Sequence, residues 1–222
     1  MVTGTIAVVG GTGHLGAAIA WRLARAGHAV IIGSRRAEAA QEKAAELGHG
    51  LTGSLAGMGN AEAAAAADLV IVTVPFAAQD GTLADIKPHV GGKIVVDTTV
   101  PLVPPKVMRV QLPAEGSAAA RTAALLGEGV TVVSAFHNVA AHKLAEDVDV
   151  GCDVLVFGDD KAARGRVVAL AEAMGLRGLH AGALVNSAAA EAMTSILIFL
   201  NKTYKVDGAG IRITGELTPP EG

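Results

Sequence analysis

Three glycines near the amino end, Gly11, Gly13 and Gly16 in Gly10-Gly11-Thr12-Gly13-His14-Leu15-Gly16, stand at the spacing G-x-G-x-x-G. The run follows the β-branched stretch Thr5–Val9 and opens a helical pattern over His14–Ala26, where Leu15, Ala18, Ile19, Leu23 and Ala26 share one face. In that setting one glycine permits the tight turn and the next lets the backbone approach a pyrophosphate. The last lets helix and strand pack closely. The helix N-terminus then offers free N–H groups, that of His14 among them, to the phosphates. The same run satisfies G-x-x-G-x-x-G, the spacing of short-chain dehydrogenases. Their Tyr–Lys pair is missing, because Tyr204 is the only tyrosine and position 208 is Gly208.

The end of the second apolar run chooses the nucleotide. A chain selective for NAD places a carboxylate there for the ribose 2′-OH. Here the sequence is Gly33-Ser34-Arg35-Arg36. A hydroxyl and planar, bidentate guanidiniums suit a 2′-phosphate instead, so NADP is predicted.

Three further strand ends are expected to frame the reacting ring, since ligands of open α/β sheets bind outside the carboxyl ends of the strands. They are Thr73-Val74-Pro75-Phe76, Thr98-Thr99-Val100-Pro101 and Phe136-His137-Asn138-Val139-Ala140-Ala141-His142. Of these, His137 is the candidate catalytic group, a donor of a proton or hydrogen bond to a substrate. Val74, Pro75, Pro101, Asn138, Val139 and Ala141 are candidate cofactor contacts. No His/Asp/Glu spacing fits a metal.

Strands and helices alternate along the rest of the chain. Predicted strands are Thr5–Val9, Ala29–Ile32, Leu51–Ser54, Leu69–Val74, Lys93–Asp97, Val130–Ala135, Val154–Phe157 and Leu176–Leu179, with a strand-like tail at Gly210–Thr214. Predicted helices are His14–Ala26, Ala37–Leu47, Ala61–Ala67, Ser117–Leu126, Ala162–Met174 and Leu184–Lys202. Continuous apolar strands imply a parallel sheet covered on both faces. The expected architecture is a doubly wound, mainly parallel α/β sheet of Rossmann type with a short C-terminal α/β extension. Residues 1–155 would form the nucleotide-binding core, and 156–222 would contribute to the acceptor site and a dimer interface. The chain after Asp153 is too short for a separate helical substrate domain.

Composition narrows the class. Hydrophobic residues make up 51% of 222 residues, charged residues 18% and aromatics 3%, with a net charge of −3. No basic run suggests nucleic acid. The single Cys152 excludes a disulfide framework. No signal-peptide pattern opens the chain, and the apolar stretch Ala183–Leu200 holds too many polar residues for a comfortable membrane span. A cytoplasmic enzyme is expected, and the apolar helix near the C-terminus predicts a homodimer.

The sequence resembles the F420-dependent NADP reductase family. The resemblance rests on the glycine run, Gly33-Ser34-Arg35-Arg36, Thr73-Val74-Pro75, Lys93-Ile94-Val95-Val96 with Val100-Pro101, Val133-Ser134-Ala135-Phe136-His137, Gly158-Asp159-Asp160, and Gly182-Ala183-Leu184 with Asn186-Ser187. It implies hydride transfer between NADP(H) and C5 of the deazaflavin coenzyme F420. It also implies that Thr12–Leu15 hold the pyrophosphate, and that Ser34 and Arg35 hold the 2′-phosphate. By the same resemblance Val74, Ala141 and Ala209 lie near the two rings, with His137–Val139 beneath the deazaflavin. Ala39 and Ala140 stand where members of the family carry a lysine and a proline. Two other readings remain open on the residues alone: an NADPH-dependent reductase of a small carbonyl or imine with His137 as proton donor, and a non-catalytic NADP sensor.

Overall fold

The apolar runs become a six-stranded sheet in the computed structural model, which describes residues 4–218. Its strands are β1 (Thr5–Val9), β2 (Ala29–Ser34), β3 (Ser54–Gly59), β4 (Leu69–Val72), β5 (Ile94–Asp97) and β6 (Thr131–Ser134). All pair in parallel, in the order β3-β2-β1-β4-β5-β6. The order reverses between β1 and β4, so a crevice opens there at the carboxyl edge of the sheet. A second, parallel pair, β7 (Asp153–Val156) and β8 (Arg177–His180), joins the edge of β6 through an antiparallel bridge between Ser134 and Phe157. The expected limit at 155/156 falls inside β7.

Side chains alternate across the sheet and divide the core in two. Ile6, Val8, Ile32, Ile71, Val96 and Val133 face α1 (His14–Arg25) and α7 (Lys161–Ala173). Ala7, Val9, Val70, Val72 and Val95 face α3 (Asn60–Ala66), α4 (Gln79–Ile86) and α5 (Ala118–Leu126). The remaining helices are α2 (Ala37–Leu47), the single turn α6 (Ala141–Leu144) and α8 (Ser187–Tyr204).

Four differences from the sequence reading have physical causes. First, β3 lies at Ser54–Gly59 rather than Leu51–Ser54. Its sequence SLAGMG is poor in β-branched residues, but small side chains let α2 lie directly on it. Second, α4 was not expected. Its buried positions Gln79, Thr82, Leu83 and Ile86 do follow i, i+3, i+4, i+7, but two of the four are polar and mask the apolar pattern. Third, Gly210–Thr214 forms no strand. It runs beside β7 through Asp153 N–H to Ile211 O at 2.8 Å, while the Asp153 carboxylate and Arg177 take the next places in the ladder. Fourth, β2 continues through Ser34, so the turn begins at Arg35.

Gly57 is where α2 and β3 meet most closely. A Cβ there would run into the Gln41 amide nitrogen and the Ala40 carbonyl, both backbone and unable to swing away. Gly57→Ala is therefore expected to destabilise the fold by about 2 kcal/mol or more, read as a lower urea midpoint, although β3 carries no catalytic group.

Candidate functional site

The glycine turn between β1 and α1 is built by close backbone contacts. Gly10 has φ +75°, and a Cβ on it would meet Val74 Cγ1 at 2.6 Å. A Cβ on Gly11 would meet Val8 O at 2.6 Å, and one on Gly16 would meet Gly11 Cα at 2.7 Å and collide with Thr73 Oγ1. Thr73 Oγ1 donates to Val9 O at 2.9 Å and Gly10 N–H donates to Asn60 Oδ1 at 3.3 Å, which fixes the turn between β1, β4 and α3. Gly13 is the N-cap of α1, with no capping side chain and no acid in the first turn. This twelve-residue helix therefore presents its first N–H groups and its positive end to the crevice, as an anionic pyrophosphate requires.

At the end of β2, Gly11 N–H donates to Gly33 O at 2.9 Å, which draws the ribose side of the crevice against the glycine turn. Ser34 is buried, with Oγ accepting from Arg36 N–H at 3.4 Å, and Arg35 and Arg36 are exposed beyond it. This set fits a 2′-phosphate: one anchored hydroxyl, two exposed guanidiniums and no carboxylate among Ser34–Arg36. Lys43, one turn beyond Ala39, is paired with Glu46.

Two cavities continue the crevice. One of about 380 Å³ is lined by His14, Ala141, His142 and Ala145, bringing the glycine turn against α6. The other, about 190 Å³, is lined by His137, Asn138, Val139, Thr194, Leu197, Asn201 and Ala209 among others. His142 borders both and pairs with Asp207 at 2.8 Å. Pro75 and Pro101 follow β4 and β5 at the same edge of the sheet but line neither cavity. A wider depression of about 540 Å³ between α2 and β3 includes Gly48 and His49, just past the carboxyl end of α2. Because α2 runs back across the sheet, that end lies away from the crevice.

Phe136 turns the chain from β6 into the His137 loop. It is fully buried and has φ +67°, a conformation costly for a bulky residue. The turn folds His137 back so that its Nε2 lies 2.7 Å from Ser134 Oγ. Among the described residues its Nδ1 has no partner, nor does Asn138 Oδ1. Burial pushes the His137 pKa down to about 4, so the ring is neutral. It can give or take a hydrogen bond but does not carry a ready proton near neutral pH.

The outer wall of this cavity comes from α8, within the 156–222 segment expected at the acceptor site, although Thr194, Leu197 and Asn201 were not named from the sequence. Thr194 Oγ1 donates to His137 O at 2.9 Å, and Asn201 Oδ1 accepts from Ala209 N–H at 2.7 Å. Glu191 docks α8 by accepting from Ala118 N–H at 2.6 Å and Ala119 N–H at 3.1 Å at the start of α5. Ser187 Oγ donates to Ser117 Oγ alongside. Below them Asp97, fully buried, accepts from Thr122 Oγ1, Gln79 Nε2 and Thr99 N–H. Burial pushes both carboxyls up, Glu191 to about 7 against the opposing pull of the two N–H bonds. The one sequence clue was a glutamate inside an otherwise apolar helix.

A family model described as "NADP oxidoreductase coenzyme F420-dependent" matches residues 5–101. The F420-dependent NADP reductase of Methanothermobacter thermautotrophicus is 43% identical over 94% of this chain and 94% of that protein. The protein of the same name from Methanocaldococcus jannaschii is 41% identical over 94% of this chain and 97% of its own. A crystal structure from Arthrobacter sp. FB24 superposes with a TM-score of 0.81 at 26% identity, covering 96% of this chain and 100% of that one.

His137 and Glu191 tilt stability in opposite directions. The His137 pKa is lower folded than unfolded, so its contribution is lost as pH falls from about 6.5 through 4. The Glu191 pKa is higher folded than unfolded, so its contribution is present below about 4.5 and lost as pH rises through 7. Relative to wild type, Glu191→Gln should gain stability between pH 5 and pH 8, and His137→Gln should lose stability over that interval. Urea unfolding at the two pH values reads both differences.

Proposed function

This chain belongs to the F420-dependent NADP reductase family, and on that premise we propose how its crevice is divided between the two coenzymes. The enzyme transfers a hydride between NADP(H) and the deazaflavin coenzyme F420. Gly11, Thr12, Gly13, His14 and Leu15 receive the pyrophosphate, and Ser34, Arg35 and Arg36 receive the 2′-phosphate. Val74, Pro75, Pro101 and Ala141 would hold the nicotinamide end of NADP(H). His137, Asn138, Val139 and Ala209 would hold F420. The observation that carries this division is the pair of adjoining cavities that share His142, one against the glycine turn and one against the His137 loop.

When bound, NADPH supplies the hydride and F420 accepts it at C5. The protein brings two flat rings into contact, a task of position more than of acid–base chemistry. Ala141, Ala209 and Gly208 keep the walls thin, so that neither ring is held off by a large side chain. A neutral His137 offers a hydrogen bond at the ring edge without placing a charge there. Those features support ring-to-ring transfer over reduction of a small carbonyl by a protonated histidine.

We further propose a cytoplasmic homodimer formed through α8. The helix is long and apolar enough to cross a membrane by composition. However, Glu191, Ser187 and Thr194 are bonded inside this fold, and only its outer stripe is free. Met193, Ile196 and Phe199 lie on that stripe at 37%, 43% and 51% exposure, and Val185, in the turn just before the helix, is 72% exposed. Met108 and Val110 of the neighbouring loop are also exposed, and Ser195 Oγ donates to Arg109 O at 3.3 Å. Residues 156–222 thus supply both the acceptor-side wall and the interface.

NADPH mixed with F420 and the enzyme should bleach the absorbance of the oxidised deazaflavin. No bleaching alongside confirmed NADPH binding would overturn the assignment of F420 to the second cavity. Arg35→Ala should raise the NADPH Kd tenfold or more, about 1.4 kcal/mol, and leave NADH binding within twofold. Light scattering at micromolar concentration should give twice the chain mass, and Phe199→Glu should give the chain mass.

A further inference from the structure

Arg22 is the most heavily bonded side chain in the fold that the site does not touch. It lies on α1, eight residues after His14, or roughly 12 Å along the helix axis. It is 8% exposed. Its hydrogen-bond partners among the described residues are five backbone carbonyls and no carboxylate. Nε donates to Leu144 O at 2.9 Å and Nη1 to Met174 O at 3.1 Å. Nη2 reaches Lys143 O at 3.5 Å, Val148 O at 2.9 Å and Glu146 O. The nearby Asp147 carboxylate pairs with Arg25 instead.

These carbonyls close the carboxyl ends of two helices. Lys143 and Leu144 end α6, Glu146 and Val148 follow it, and Met174 is the C-cap of α7. Helix ends leave carbonyls unpaired and carry a partial negative charge, so a buried cation with a planar fork of five N–H groups fits them. The other end of α6 is Ala141 and His142, which face His14 across the cavity at the glycine turn. Leu144 also packs into the apolar cluster with Leu23 of α1 and Leu170 of α7. α6 has only four residues, too few to hold its own position. Its place therefore depends on the anchor at its carboxyl end.

We propose that Arg22 is a positioning residue for hydride transfer. By fastening the carboxyl end of α6 to α1, it sets the separation between the phosphate-binding turn and the Ala141–His142 wall, and with it the spacing of the two rings. The inference rests on F420 occupying the cavity beyond α6. A lysine in its place keeps the charge but not the fork, and cannot reach carbonyls on both helices. Loss of the anchor leaves the glycine turn and Ser34–Arg36 in place, so NADPH binding is retained while the approach of the rings loosens. Displacements of about 1 Å at reacting centres cost on the order of a hundredfold in rate.

The test compares wild type with Arg22→Lys, Arg22→Ala and a variant with one glycine inserted between Ala145 and Glu146. The insertion moves the Glu146 and Val148 carbonyls and leaves Arg22 intact. NADPH affinity is read by nicotinamide fluorescence, and single-turnover hydride transfer by bleaching of F420 at saturating NADPH. The primary isotope effect is read with NADPH deuterated at the transferred position. The expected result is an NADPH Kd within twofold of wild type, transfer slowed on the order of tenfold or more, and an isotope effect larger than that of wild type. Added guanidinium should restore part of the rate of Arg22→Ala. Transfer within twofold of wild type in the variants overturns the proposal. So does a rate that falls by the same factor as NADPH affinity with the isotope effect unchanged, the pattern of a merely smaller folded fraction. Wild type that binds NADPH but does not bleach F420 overturns the reading of the acceptor cavity instead.

Discussion

The rest of the crevice depends on how closely the backbone of the β1–α1 turn approaches its neighbours. Gly10 lies against Val74, Gly11 against Val8 and Ile32, and Gly16 against Thr73 and Gly11. A methyl group at Gly11 or Gly16 would push α1 off the sheet. The displacement would carry α6 with it through Arg22, and so move the wall of the second cavity. The scarcity of aromatic residues, 3% of the chain, belongs to the same constraint. Alanine and glycine let helices and strands approach until the crevice is lined by backbone. Two flat coenzymes can then approach each other with little between them.

The acceptor side is assembled differently. Part of the docking of α8 on α5 is a polar seam, with Glu191 on two backbone N–H groups and Ser187 on Ser117. A buried carboxylate costs desolvation, which the raised pKa of Glu191 reflects. Removing it would leave two N–H groups at the start of α5 unpaired, so it specifies where α8 sits more than it adds stability. Apolar packing alone would tolerate sliding by a turn. The seam fixes the register that brings Thr194 to His137 and Asn201 to Ala209. It also leaves the opposite, apolar stripe of α8 uncovered within the chain.

Legibility in the sequence followed the strength of local pattern. The strands Thr5–Val9 and Leu69–Val72, the helix Ala37–Leu47 and the glycine turn were readable because apolar period and turn chemistry agree there. Strand β3 was misplaced and α4 missed, because SLAGMG and QDGTLADI owe their conformations to tertiary packing and a buried polar network. Candidate cofactor contacts at strand ends could be named, since a parallel sheet sends them all to one edge. The contributions of Thr194, Asn201 and Gly208 could not. They reach the cavity only because α8 and the tail fold back across residues distant in sequence, and no spacing records that return.

The titratable groups lining the two cavities are His14, His137 and His142. His137 is neutral and bonded to Ser134, while His142 is exposed and paired with Asp207. Glu191 is buried behind the wall, on the N-terminus of α5. His137, held neutral by its burial, is not the charged donor that a general acid needs, and Glu191 has no access to the cavity. Hydride transfer between two coenzymes makes no such demand. It asks for two stacked planes at contact distance, with water kept out and charges kept away from the reacting carbons. On the division of the crevice proposed above, thin walls, a neutral histidine and an anchored α6 would meet that demand. Burial keeps His137 neutral in the wall of the second cavity, so no imidazolium charge is placed there.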